Sequence, residues 1–85
     1  MTKHATALLL WLYEDHVNGV YPQKVKAEDL GMTRNELIQA GKELKSQGFL
    51  PDFNASVQGN DGKNIIFFGK LTGDAIEYAK SFDED

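Results

Sequence analysis

The side chains with the clearest potential for chemistry lie between residues 33 and 46. Four polar residues recur there at intervals of three or four: Asn35, Gln39, Lys42 and Ser46. This spacing places them on one face of an α-helix. Asn and Gln can form paired hydrogen bonds with adenine in the DNA major groove, and Lys or Arg can bind guanine or phosphate. The row therefore predicts a nucleic-acid contact, and the alternative interpretation is an ordinary polar face in solvent.

Neighbouring side chains extend this polar row on one side and oppose it on the other. Thr33, Arg34 and Lys45 add a hydroxyl group and two cations. Glu36 and Glu43 border the opposite side, where their negative charge opposes the approach of phosphate. We therefore expect nucleic acid to contact this helix on its Arg34–Lys45 side.

Local signals predict where this helix starts and stops. The Thr33 hydroxyl can accept the third helical N–H while Glu36 reaches back to the cap, which is a capping box. The stripe facing the core would be Leu37, Ala40, Gly41 and Leu44. Gly48 can adopt a positive φ and end the helix. A shorter helix is predicted over residues 24–30, and Gly31 would stop it, so the two helices form a helix-turn-helix pattern.

Three further elements are predicted around these two helices. A first helix should run from about residue 2 or 3 to 16 or 17, with a core face of Ala5, Leu8, Leu9, Leu12 and Val17. Strands over residues 49–57 and 65–71 should form a hairpin around the turn-forming residues 59–63. Thr72 should then cap a final helix. Its inner face would be Ala75, Ile76, Ala79 and Phe82.

Two surfaces outside the helix-turn-helix are further candidates for binding. Leu10, Trp11 and Tyr13 extend apolar surface beyond the core face of the first helix. Either a second copy of the chain covers them in a homodimer, or the hairpin and last helix of the same chain do. The hairpin tip offers Asn60, Lys63 and Asn64 as contacts to a DNA backbone or minor groove, or simply as a solvated turn.

Composition predicts one small globular domain over residues 1–82, followed by an acidic tail over 83–85. The 85 residues are 41% hydrophobic and 26% charged, which is typical of a folded domain. The absence of cysteine excludes disulfides and thiolate metal sites and is compatible with a cytoplasmic protein. The apolar run over residues 5–13 is too short to span a membrane.

The net charge of −4 argues against unselective binding to nucleic acid. Catalytic interpretations are also weak, because His4 and His16 do not have metal-ligand spacing. Residues 59–62 lack the Gly-Lys-Ser/Thr ending of a phosphate-binding loop. The sequence shows no grouping of nucleophile, base and orienting residue, so it predicts a binding protein without a cofactor rather than an enzyme.

The order of elements resembles winged-helix (winged helix-turn-helix) domains, an α+β fold with a three-helix core, a two-stranded hairpin wing and a C-terminal helix. The last helix opens with Leu-Thr-Gly-Asp-Ala-Ile-Glu-Tyr from Leu71, which is similar to the pattern of the YjcQ-like group. Thr72, Ile76, Glu77 and Tyr78 match that pattern, whereas Ala75 replaces its usual glycine. The resemblance implies a small bacterial or phage protein with a DNA-binding-like fold.

Two hypotheses for function follow. The first is a homodimeric transcriptional regulator that binds double-stranded DNA, with Asn35, Gln39 and Lys42 toward bases. Its phosphate contacts would be Arg34, Lys45 and Lys63. The second is a protein-binding adaptor on the same fold, such as a phage-encoded modulator of a host nucleic-acid enzyme. Its acidic wing, last helix and tail would then contact a basic partner surface.

Overall fold

The computed structural model describes residues 1–20, 25–58 and 64–83. Within these ranges the elements are α1 (Lys3–Val17), a 3₁₀ turn (Ala27–Leu30), α2 (Arg34–Ser46), β1 (Asn54–Gln58), β2 (Asn64–Phe67) and α3 (Gly73–Asp83). The two strands pair antiparallel. The predicted α+β class is confirmed at this level, with three helices and one two-stranded hairpin.

Helix α1 begins and ends where the sequence predicts. The Thr2 hydroxyl accepts a 3.3 Å hydrogen bond from the Ala5 N–H, and Gly19 follows the helix with φ of +72°. Four of the five predicted core residues are fully buried: Ala5, Leu8, Leu9 and Leu12. The prediction for Val17 was wrong, since 62% of it is exposed. The reason is that Val17 follows Leu12 by five residues, and a rotation of roughly 140° about the helix axis turns it away from the core face.

Helix α2 has the predicted start, end and inner face. The Glu36 N–H donates to Thr33 Oγ1 over 3.2 Å and the Thr33 N–H donates to Glu36 Oε1 over 2.8 Å, which completes the capping box. Gly48 has a φ of +79°. The buried residues are Leu37, Ala40, Gly41 and Leu44. Gly41 lies so close to the Phe53 ring that a Cβ atom at this position would overlap it.

The predicted second helix is a single 3₁₀ turn rather than an α-helix. Lys26 is extended, with φ of −110° and ψ of 137°, and Gly31 is left-handed with φ of +68°. Four residues between these two boundaries leave room for short i→i+3 bonds, such as Asp29 N–H to Lys26 O. Val25 and Leu30 are partly buried against the core, on the predicted side.

Both predicted strands were too long. Pro51 and Asp52 occupy a turn closed by the Phe53 N–H and the Leu50 carbonyl, so β1 starts only at Asn54. Proline at the second position of a turn is favoured because its φ is already fixed. Strand β2 ends at Phe67, and Gly69, with φ of +75°, leaves the extended conformation two residues later. The predicted hairpin turn at residues 59–63 lies outside the described ranges.

Helix α3 is attached to the end of α2. The Thr72 hydroxyl accepts from the Ala75 N–H over 3.3 Å and donates to the Gly48 carbonyl over 3.0 Å. Ala75 and Ala79 are fully buried, as the inner-face prediction requires, and Ile76 is partly buried. The prediction that Phe82 belongs to the inner face was wrong, because 41% of it is exposed. The helix continues to Asp83, one residue into the predicted tail.

Candidate nucleic-acid interface

The predicted polar row lies on the exposed face of α2. Asn35, Gln39 and Lys42 are all exposed, and no side-chain hydrogen bond joins them to another described residue. Ser46 is also exposed, but its hydroxyl donates to the Glu43 carbonyl over 2.8 Å, within the same helix. Three side chains of the row are therefore available to a ligand, and the fourth is already engaged.

The flank predicted to meet phosphate has a structural role as well. Lys45 Nζ donates to the Phe53 carbonyl over 3.2 Å, which joins α2 to the turn before β1. Arg34 is exposed at the first position of α2. Thr33 is exposed, but its hydroxyl and amide form the capping box. Of these three predicted contacts, Lys45 and Thr33 thus help to fix the position of α2.

The two carboxylates on the opposite flank interact with the start of α1. Glu43 Oε2 accepts from the Thr2 N–H over 2.9 Å and from the Thr2 hydroxyl over 3.2 Å. Glu36 Oε2 lies 3.5 Å from His4 Nε2. The hydrogen bond from the Thr33 N–H is the main cause that lowers the pKa of Glu36 below its ordinary value, and the charge of His4 adds to it. Both carboxylates are therefore engaged by neighbouring donors.

The first turn of α1 adjoins the polar row, and sequence reasoning missed this. A groove of about 650 Å³ lies between them, lined by Thr2, His4, Asn35, Glu36, Gln39, Ala40, Lys42, Glu43 and Ser46. Lys3 is exposed in the same turn of α1. The amino end of a helix carries a partial positive charge. No periodicity within α1 or α2 reveals this contact, because it depends on how the two helices cross.

Of the predicted contacts at the hairpin tip, only the backbone pairing of Asn64 is described. Asn64 is the first residue of β2 and pairs with Gln58. Asn60 and Lys63, the other predicted wing contacts, lie outside the described residues. The candidate interface is therefore defined by α2 and the start of α1.

The three residues predicted for a dimer interface are each partly buried within the chain. Leu10 and Tyr13 pack against the core. The indole nitrogen of Trp11 is buried and has no hydrogen-bond partner among the described residues. The chain itself thus covers part of the surface that the sequence assigned to a second copy, and the homodimer stays a prediction.

The described parts of the chain contain neither a metal-binding cluster nor a membrane-spanning helix. No three His, Asp or Glu side chains come together there in a way that could hold a metal ion. No helix in those ranges combines the length and apolarity needed to cross a membrane.

Comparison of the chain with protein-family models, with curated proteins and with solved structures found no match. The resemblance to winged-helix domains and to the YjcQ-like group therefore stays a prediction. The exposed row on α2 is the best-defined group of polar side chains among the described residues.

Proposed function

We propose that this chain is a winged-helix DNA-binding protein that places the outer face of α2 in the major groove. The observation that carries the proposal is the exposed row of Asn35, Gln39 and Lys42, whose side chains have no hydrogen-bond partner among the described residues. Two amides and an ammonium group at this spacing supply donors and acceptors for base edges and a charge for phosphate.

The setting of α2 supports readout of bases, because direct readout needs side chains on a rigid support. The capping box fixes the first turn of the helix. At its other end, the Thr72 hydroxyl holds the Gly48 carbonyl and Lys45 holds the Phe53 carbonyl. Little backbone ordering would then be required on binding, so less of the interaction energy is lost.

The electrostatic balance also favours this face over the rest of the chain. Glu36 and Glu43 keep their charge, but donors from α1 and from the cap hold their carboxylate oxygens in place. The amino end of α1, whose Thr2 and His4 line the groove beside the row, adds positive potential, and Lys3 is exposed in the same helical turn. In this proposal Lys42 contacts phosphate rather than a base edge, and with Lys3, Arg34 and Lys45 it makes about four phosphate contacts. The logarithm of affinity should then fall with the logarithm of salt with a slope of about −3.6.

Four phosphate contacts provide modest affinity, so a regulator built on this domain would gain from acting as a homodimer. Two linked copies bind adjacent half-sites at a high effective concentration. Half-site spacing of about 10 base pairs, one turn of DNA, is expected for two copies of α2 on one face of the duplex.

Selection from random DNA duplexes at low salt, with the full chain, tests the proposal. Asn35→Ala and Gln39→Ala should each relax the selected sequence at one position and weaken binding by about 1–3 kcal/mol. Lys42→Ala should weaken all sequences alike and reduce the salt slope by about one.

The matched control is Lys80→Ala, which removes an exposed lysine from α3 whose Nζ lies 3.6 Å from Glu77 Oε1. It should leave both the selected sequence and the affinity unchanged. If no sequence is enriched and Lys42→Ala behaves like Lys80→Ala, α2 does not contact DNA and the proposal is wrong.

A further inference from the structure

Helix α3 carries an aromatic surface that the proposed DNA contact does not use. The Tyr78 ring lies between Phe49 and Phe82, with ring centroids 5.3 Å and 5.4 Å away. Tyr78 is 39% exposed and Phe82 is 41% exposed, whereas Phe49 packs against the core. We call these three residues the aromatic ladder. Its inner end is fixed by the core and its outer two rings face solvent.

Negative charge is concentrated in the last part of the sequence. Residues 73–85 contain one cation, Lys80, and five carboxylates, Asp74, Glu77, Asp83, Glu84 and Asp85. On α3, Lys80 Nζ lies 3.6 Å from Glu77 Oε1, and Asp74 is exposed. Their net charge of −4 equals that of the whole chain, so residues 1–72 are neutral overall. Asp74 and Phe82 each stand four residues from Tyr78, which places one carboxylate and two rings on the same face of α3.

We propose that the aromatic ladder and its carboxylates bind an arginine-containing amphipathic segment of another protein. Apolar side chains of the segment would cover the exposed rings. A guanidinium group can stack on an exposed ring, Tyr78 or Phe82, and form paired hydrogen bonds with a carboxylate such as Asp74. Both parts of the surface are thus used by one kind of partner. This inference does not depend on the proposed DNA contact.

Charge also argues against the other occupants. A second copy would bring one segment of −4 against another, which is unfavourable at low salt. Nucleic acid and anionic membranes carry the same sign of charge and are disfavoured for the same reason. A basic protein segment is the occupant that complements both the rings and the charge.

Fluorescence anisotropy with a defined probe tests the proposal. The probe is a labelled 15-residue amphipathic peptide of Leu, Ala and Arg, added to the full chain at low salt. Peptides with every Arg replaced by Lys or by Glu are the comparison probes. We expect the Arg peptide to bind at least about fivefold more tightly than the Lys peptide, because guanidinium groups can both stack and form paired hydrogen bonds. The Glu peptide should not bind.

Two sets of variants locate the contact. Tyr78→Ser with Phe82→Ser removes the exposed rings, and Asp74→Asn with Glu77→Gln removes charge while keeping shape. Each pair should weaken Arg-peptide binding by about tenfold, the equivalent of 1.4 kcal/mol. If removal of the rings unfolds α3, the Asp74→Asn, Glu77→Gln variant still tests the contact, because it keeps the shape of both side chains. Lys42→Ala on α2 is the control and should leave peptide binding unchanged.

Three results would overturn the inference. One is equal affinity for the Arg and Glu peptides, and another is peptide binding that no α3 variant weakens. The third is self-association in sedimentation that the Phe82→Ser variant abolishes, because a second copy would then occupy the ladder. DNA selection with the same α3 variants separates the two proposals, since the ladder is not part of the α2 row.

Discussion

Replacing Gly41 with Ala should destabilise the protein, although alanine is the better helix former. Alanine gains about 1 kcal/mol over glycine in a helix interior. At Gly41 the added Cβ would overlap the Phe53 ring. That ring is 2% exposed and packs on Phe68, with centroids 5.8 Å apart. Because the ring has no free space to enter, α2 would have to shift away from the turn before β1.

The expected size follows from these two opposing terms. Overpacking a filled core usually costs about 1–3 kcal/mol, and the clash at Gly41 belongs at the upper end because the overlap is with a buried ring. Subtracting the helix propensity leaves a net loss of about 1–2 kcal/mol. In a domain of this size each kcal/mol lowers Tm by about 4–8 °C.

Urea denaturation followed by circular dichroism provides the measurement. Gly73→Ala is the matched control, since Gly73 is the first residue of α3 and no atom from outside its own helical turn lies within 4 Å of an added Cβ. Gly73→Ala should be neutral or slightly stabilising. Combining Gly41→Ala with Phe53→Leu should cost less than the sum of the two single changes, because a smaller side chain relieves the overlap. If Gly41→Ala is as stable as Gly73→Ala, the close approach of α2 to Phe53 is wrong.

Two further predictions concern the capping box of α2. Thr33→Ala removes the acceptor for the Glu36 N–H and should lower the free energy of unfolding by about 1 kcal/mol. A lower urea midpoint and faster hydrogen exchange at the Glu36 amide would show this loss. An unchanged midpoint would contradict the prediction. The pKa of Glu36 is lowered in the folded chain. Its ionised carboxylate therefore stabilises the fold at any pH above the pKa that Glu36 has in the unfolded chain. That contribution should disappear as pH falls from the ordinary pKa of 4.5 through the lower folded one. Over this window the difference in urea midpoint between the wild-type chain and Glu36→Gln should shrink, whereas a difference independent of pH would refute the assigned cause.

Local signals in the sequence were sufficient for the ends of the helices. Thr33 and Glu36 stand three residues apart, and Gly31 and Gly48 supply positive φ where each helical segment stops. These features involve only neighbours in the chain, so they can be recognised without a tertiary structure. The inner stripe of α2 is equally local, because helical periodicity alone fixes which residues share a face.

Local signals were insufficient for elements that are very short or that depend on distant partners. The predicted helix at residues 24–30 is a single 3₁₀ turn, since too few residues precede Gly31 to repay helix nucleation. The strands are shorter than the apolar runs because a turn precedes β1 and Gly69 follows β2. Apolar character predicts burial only where another element is present to cover it, and none covers Phe82 fully.

In the candidate site, too, some features follow from local sequence and others only from the tertiary structure. The sequence by itself determined the row of Asn35, Gln39 and Lys42, because a single well-capped helix carries all three. Only the tertiary structure decided what surrounds that row. The crossing of α1 over α2 brings Thr2 to Glu43 and His4 to Glu36. These contacts link residues more than 30 positions apart, and packing of the two helices, rather than any local pattern, is the physical reason that they form.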